Sequence, residues 1–209
     1  MQSSYGQDWP NLSKYKAEND SLGLPENGIE RIVFMGNSIT EGWILNDSLG
    51  FFRKNGYVNR GIGGQTTPQM LIRFRQDVIE LKPSVVVILA GINDIAGNTG
   101  PSTLEMIMNN IESMAELAKS NNIKVIISSV LPAQDFPWSR DMEPAEKVIK
   151  LNGMLKEYCN RQEHYYLDYF SHMVNDQNGL KSEYTYYGTL IQQGMRSWDL
   201  WLKQLLRLC

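Results

Sequence analysis

The chain has 209 residues, a length that suits one domain with a large apolar core. Hydrophobic residues make up 42% and charged residues 21%, as in ordinary globular proteins, and no apolar run approaches the roughly 20 residues that span a bilayer. The formal net charge of -3 gives no electrostatic reason to expect nucleic acid or an anionic membrane as a partner.

Neither the first residues nor the cysteines assign the protein to a compartment. The N-terminal sequence is polar and has no signal-peptide pattern, which leaves two alternatives open: a cytoplasmic protein, or an exported one whose signal has been removed. Cys159 and Cys209 lack the spacing of a metal or redox site, so we predict two unpaired thiols.

Strand-like and helix-like runs alternate along the chain, which is typical of a parallel sheet covered on both faces. The run at 85–90, Val-Val-Val-Ile-Leu-Ala, is uninterrupted apolar sequence, as expected for a strand buried on both sides. The sequence therefore predicts one α/β domain over residues 1–209 with a five-stranded parallel sheet. Its strands are predicted at 31–35, 57–60, 85–90, 124–130 and 165–169, and its helices near 47–55, 67–80, 102–120, 144–161 and 197–207.

The longest irregular segment lies at residues 132–143. A loop of this length inside a compact domain is often functional. Trp138 and Arg140 within it could meet a sugar or an acyl alcohol, which makes the loop a candidate for substrate selection. The alternative is a surface loop that a buried Trp138 anchors.

Three segments rich in Gly and Asn each follow a predicted strand. They are 36–40 (Gly-Asn-Ser-Ile-Thr), 59–67 (Asn-Arg-Gly-Ile-Gly-Gly-Gln-Thr-Thr) and 91–94 (Gly-Ile-Asn-Asp). Because the carboxyl ends of parallel strands face a common crevice, we expect the segments to converge. Acyl transfer needs a nucleophile and donors aimed at the developing oxyanion. Ser38 is the candidate nucleophile, and the backbone N–H groups of Ser38 and Gly64 with the Asn93 amide are candidate donors.

Each segment also has a simpler interpretation when it is taken alone. Ser38 could cap the following helix, and Asn93-Asp94 could form a turn or a helix cap. The glycines at 61–64 could cradle a phosphate. However, they lack the spacing of a dinucleotide fingerprint or a Walker loop, and Arg60 is the single basic residue beside them.

Together, in this order and spacing, the segments resemble the SGNH (GDSL-like) hydrolase family. Residues 34–43 resemble its first block, with Asn37 where the family more often has Asp, while 59–67 and 91–94 resemble the glycine and Gly-x-Asn-Asp blocks. Segments 131–138 and 167–170 resemble later ones. The resemblance implies a flavodoxin-like three-layer α/β/α domain that hydrolyses acyl esters, often acetyl groups on carbohydrates. It also implies Ser38 as nucleophile, with Gly64 and Asn93 as oxyanion donors.

The family's last block, Asp-x-x-His, is missing from the matching stretch. Its His is the general base and its Asp orients that base, but Tyr187 and Leu190 stand at the two positions. The chain's two histidines, His164 and His172, do not match the motif. We predict a non-catalytic role for both, with His172 the nearer substitute because it follows the last strand.

A shifted reading frame would account for this departure. Back-translation from Gly188 with permitted codons, offset by two nucleotides, can read HPNPAGYEKLGPLAEAVIKTL, which contains the family's His-Pro-Asn. We therefore hypothesise that residues from about 187 to 209 are the product of a frameshift. The C-terminal sequence as it stands still predicts a helix near 197–207, because Trp198, Trp201, Leu202 and Leu205 would share one face of it.

The sequence thus predicts a serine esterase or acylhydrolase for small acyl esters, acetyl esters of carbohydrates among them, with activity impaired by the missing Asp and His. The alternative is a catalytically inactive protein that binds an acyl or sugar ligand in the same pocket. The chemistry needs only side chains and water, so neither a metal nor an organic cofactor is predicted. The predicted partner is the small-molecule ester or acetylated carbohydrate, and the oligomeric state is left open.

Overall fold

An all-parallel, five-stranded sheet organises the structure, a computed structural model that describes residues 7–26, 30–45, 50–136, 142–186 and 189–190. The strand order is β2-β1-β3-β4-β5, and every pairing in this sheet is parallel. The predicted α/β class and five-stranded sheet are therefore confirmed. The strands are β1 (Ile32–Gly36), β2 (Val58–Gly61), β3 (Val85–Leu89), β4 (Lys124–Ser128) and β5 (Tyr165–Leu167).

The register brings the ends of three strands level. Gly36, the last residue of β1, pairs with Gly61 on β2 and with Leu89 on β3. The three Gly- and Asn-containing segments therefore leave the sheet at the same carboxyl edge, as the sequence predicts.

Helices cover both faces of the sheet, as in a flavodoxin-like sandwich. One face carries α4 (Thr67–Asp77), α6 (Leu104–Ser120) and α7 (Pro144–Gln162), and strand residues such as Val33 and Ile88 bury against them. The other face carries α2 (Ser38–Leu45), α3 (Phe51–Asn55) and α8 (Tyr169–Met173). There the rings of Phe34, Trp43, Phe51 and Phe52 lie 5.0–6.2 Å apart, within the range of edge-to-face and stacked packing.

The remaining elements are short. They are helix α1 (Lys16–Leu22), which contacts α4, helix α5 (Ile92–Ile95), two single 3₁₀ turns at Ile79–Leu81 and Ser182–Tyr184, and the antiparallel pair β6 (Thr185–Tyr186) and β7 (Thr189–Leu190). No helix among the residues described is both long and apolar enough to cross a membrane.

Several predicted boundaries shift for local reasons. The strand predicted at 165–169 ends at Leu167, because Asp168 accepts the Ser171 N–H at 3.0 Å and starts α8. The helix predicted at 67–80 ends at Asp77. Cys159 is a buried free thiol, as predicted. Trp138, Arg140, Cys209 and the helix at 197–207 lie outside the described residues.

Candidate active site

Ser38 is the first residue of α2 and lies just beyond the end of β1. The helix cap is provided by its neighbour: the buried Asn37 accepts the Ile39 N–H through Oδ1 at 3.0 Å. Ser38 is thus not needed as the cap, and its side chain stays exposed. Its backbone N–H donates to none of the described residues, which leaves that donor free for a ligand.

The glycine segment is pressed against the first turn of α2. A Cβ on Gly61 would collide with the backbone of Thr40 and Glu41, so the close approach of β2 to α2 requires glycine there. Asn59 strengthens the contact by donating from Nδ2 to the Thr40 carbonyl at 2.6 Å. The chain after β2 consequently runs beside Ser38.

The turn at Gly63 and Gly64 lies next to the Ser38 side chain. A Cβ built on Gly63 would lie 3.8 Å from the Ser38 Cβ. Gly64 has a φ of +76°, a value that L side chains rarely adopt. Its carbonyl accepts from Asn98 Nδ2 at 3.1 Å, whereas its N–H meets no acceptor within the part of the chain that the structure describes. That N–H is therefore available to an oxyanion.

Asn93 is buried on α5 and is tied to the glycine segment. Its Nδ2 donates to the Gln65 carbonyl at 2.9 Å, which uses one of the two N–H bonds of the amide. The neighbouring Asp94 accepts the Thr67 N–H at 3.0 Å and the Thr67 hydroxyl at 2.6 Å. The second and third segments are thus held together as one unit.

Two buried ionisable groups brace this unit. Burial raises the pKa of Asp94 to about 6, and the hydrogen bonds from Thr67 partly oppose that rise. Arg73, fully buried, donates to Gln65 at 2.6 Å, to Asp77 at 2.9 Å and to the Gly36 carbonyl at 3.1 Å. It links the end of β1 to the glycine segment.

The two histidines lie at different edges of the sheet. His164 directly precedes β5, at the amino edge opposite Ser38, and burial together with the charge of Lys119 lowers its pKa. His172 is on α8, on the carboxyl side, where its carbonyl accepts from Lys181 Nζ at 2.9 Å. Tyr187 lies outside the described residues, and Leu190 belongs to β7. Among the residues described, no group of three His, Cys, Asp or Glu could hold a metal ion.

The sequence predicts Ser38, Gly64 and Asn93 as site residues but does not predict the residues that contact their segments. Arg73, Asp94 and Glu41 contribute buried or cross-segment contacts that depend on the tertiary fold. A charged residue at a core position of α4, as Arg73 is, was the available signal.

Comparisons with known proteins match this chain to GDSL-like lipases and acylhydrolases. The profile of the GDSL-like lipase/acylhydrolase family matches residues 34–190. A protein from Bacteroides fragilis that is assigned as an acylhydrolase is 44% identical, over 97% of this chain and 98% of its own, with a TM-score of 0.93. A GDSL-like lipase from Bacteroides thetaiotaomicron is 43% identical, over 95% of this chain and 98% of its own, with a TM-score of 0.91.

Two further relatives are more distant. Axe2, an acetylxylan esterase from Geobacillus stearothermophilus, shares the fold at 16% identity and a TM-score of 0.68, over 84% of this chain and 93% of its own. The uncharacterized lipoprotein YqeF of Bacillus subtilis is 33% identical over 128 residues, which are 54% of this chain. The match spans 53% of that lipoprotein's length.

Proposed function

This chain belongs to the GDSL-like lipase/acylhydrolase family, and we propose that Ser38 is the nucleophile of its esterase site, with Gly64 and Asn93 as oxyanion donors. One observation carries the proposal: three strand-end segments meet where Gly63 lies against Ser38 and Asn93 bonds to Gln65. An exposed hydroxyl and unused N–H donors thus come from three separate parts of the chain to one edge of the sheet.

The reaction follows from what these groups can do. Ser38 Oγ attacks the ester carbonyl carbon, and the carbonyl oxygen takes up the negative charge. The N–H groups of Ser38 and Gly64 and the amide of Asn93 stabilise that charge, and removing one such donor typically costs about 10²–10³ in kcat. The carbon–oxygen bond to the alcohol then breaks, the alcohol leaves with the proton that the serine hydroxyl released, and water hydrolyses the acyl-serine.

We further propose that the chain as written hydrolyses esters slowly. Attack by Ser38 requires a base to accept the hydroxyl proton, and Tyr187 and Leu190 occupy the positions of the family's Asp and His. His164 precedes β5 at the amino edge of the sheet, opposite Ser38, and His172 is on α8 on the carboxyl side. Losing the base of such a triad costs on the order of 10⁶ in kcat.

Tyr187 and Leu190, at the positions of the family's Asp and His, also favour a second candidate function. In it the protein binds an acyl or sugar ligand without hydrolysing it. The coding DNA from residue 183 to 209 distinguishes the candidates. Codons that read as HPNPAGYEKLGPLAEAVIKTL in the frame offset by two nucleotides support a damaged esterase, and codons that forbid this string support a base-free binding protein.

Acetyl esters of carbohydrates are the first substrates we propose to test. The similarity of the fold to that of Axe2, an acetylxylan esterase, supports this choice. The loop with Trp138 and Arg140 remains our prediction for substrate selection.

The test is the hydrolysis of p-nitrophenyl acetate and of acetylated xylo-oligosaccharides by the unsubstituted chain, by Ser38→Ala and by a control, Ser120→Ala. Ser120 ends α6, away from the three segments. We expect a slow rate that changes little in Ser38→Ala, because a serine without its base contributes little to the rate, and that is unchanged in Ser120→Ala. Rapid turnover that Ser38→Ala leaves unchanged would contradict Ser38 as the nucleophile. Rapid turnover that Ser38→Ala abolishes would contradict the missing base and direct attention to His172.

A further inference from the structure

Glu41 connects the nucleophile helix to the glycine turn. It lies three residues after Ser38 on α2, so the two side chains share one face of the helix. Its Oε2 accepts the Gly63 N–H at 2.7 Å, and its Oε1 pairs with Lys14 of the N-terminal segment. A Cβ built on Gly63 would lie 3.0 Å from Glu41 Oε2 and 3.8 Å from the Ser38 Cβ. The carboxylate therefore lies beside the nucleophile.

The turn has few other restraints. Gly63 and Gly64 are exposed and have no side chains that could pack. The backbone bond from Gln65 N–H to the Ile62 carbonyl is long, at 3.4 Å, and beyond it the turn is held by the Asn98 bond to Gly64. Two adjacent glycines have more backbone freedom than any other pair of residues. A charge-assisted bond to Gly63 N–H thus removes much of that freedom at low cost.

We propose that Glu41 is a positioning residue, which fixes the Gly63–Gly64 peptide so that Gly64 N–H points toward the oxyanion formed on Ser38. The proposal rests on the proposed function and adds a residue to it. Glu41 acts through its hydrogen bond to Gly63 and takes no proton from Ser38. Lys14 holds the second carboxylate oxygen and restricts the Glu41 rotamer.

The experiment compares Glu41→Gln with Glu41→Ala in the full chain. Both variants remove the same negative charge, but Gln keeps an acceptor for Gly63 N–H, so their difference isolates the hydrogen bond. Lys14→Met removes the ion pair, together with the contact of Lys14 Nζ with the Tyr15 ring at 5.6 Å, and leaves Glu41 in place. Lys16→Met is the matched control, because Lys16 forms an exposed ion pair with Asp20 elsewhere on the N-terminal segment.

Two readouts separate this proposal from the proposed function. The first is the hydrogen exchange rate of the Gly63 amide measured by NMR. We expect it to rise tenfold or more in Glu41→Ala and to stay within about threefold in Glu41→Gln. The second is the rate at which diisopropyl fluorophosphate modifies Ser38, followed by mass spectrometry. We expect a loss of tenfold or more in Glu41→Ala, relative to Glu41→Gln, because an oxyanion donor is misplaced.

The outcomes are distinct. A loss of about fivefold or less in Lys14→Met and no change in Lys16→Met agree with the proposal, since exposed ion pairs contribute little. Equal modification rates in Glu41→Gln and Glu41→Ala would overturn it: an equal loss in both would assign the effect to the charge, and no loss in either would show that Glu41 has no effect. Preferential modification of a serine other than Ser38 in the unsubstituted chain would contradict the proposed function. Absence of any modification would agree with the missing base, and Gly63 exchange would then decide whether Glu41 holds the turn.

Discussion

Replacing Asp94 with Asn is expected to remove a pH-dependent decrease in the free energy of unfolding. The side chain of Asp94 is 2% exposed, and burial raises its pKa from 3.8 to about 6 in spite of the hydrogen bonds from Thr67. The difference is about 2 pKa units, and each unit corresponds to about 1.36 kcal/mol. With Asp94 ionised at pH 7, the free energy of unfolding is therefore about 3 kcal/mol lower than it would be with Asp94 protonated.

The sign follows from the direction of the shift. Between pH 3.8 and about 6 the unfolded chain has released this proton while the folded chain still holds it. The contribution of Asp94 to stability is therefore fully present below pH 3.8 and is lost as the pH rises through about 6. Relative to Asp94→Asn, which does not titrate, the unsubstituted protein should lose about 2.4 kcal/mol of unfolding free energy between pH 4 and pH 7.

Urea unfolding of both proteins, followed by circular dichroism at half-unit steps from pH 4 to pH 7.5, measures this difference. Taking the difference between the two proteins cancels the other carboxyls, which they share. Thr67→Val is the matched second variant: it removes the hydroxyl that favours the ionised form and should extend the loss to higher pH. A difference that is flat with pH, or that rises with pH, would refute this reasoning.

Two substitutions test the packing that positions the site, both by urea unfolding. Gly61→Ala should cost about 1–3 kcal/mol, because its Cβ would collide with the α2 backbone; an unchanged midpoint would show that the two segments separate freely. Arg73→Met should cost about 3–5 kcal/mol, because it leaves Asp77 buried without its ion-pair partner; a loss under about 1 kcal/mol would show that this pair is dispensable.

The strands were predictable because they are buried on both faces. Val85–Leu89 is fully buried and reads as an unbroken apolar run, so its pattern alone defines it. Short helices were not predictable in the same way. Helix α5 has four residues, and α8 depends on Asp168 as its cap, which is why Tyr169 was assigned to the preceding strand.

The candidate site also combines residues that a local sequence pattern predicts with contacts that depend on the tertiary fold. The predictions of Ser38, Gly64 and Asn93 rest on their positions after strands and on a family resemblance, so the sequence was sufficient to propose them. The contacts of Glu41 with Gly63, and of Arg73 with the Gly36 carbonyl, join residues that are 22 and 37 positions apart. No local pattern encodes such pairs, because they exist only once β1, β2 and α4 have packed.

The most direct test of a placed but unactivated Ser38 is a chain in which the base is restored. Tyr187→Asp and Leu190→His are combined with PNPAGYEKLGPLAEAVIKTL in place of residues 191–209, and the rate of p-nitrophenyl acetate hydrolysis is compared with that of the unsubstituted chain. We predict a gain on the order of 10⁴-fold or more that Ser38→Ala abolishes. A folded restored protein with no gain, or an unsubstituted chain that already matches it, would contradict the missing base.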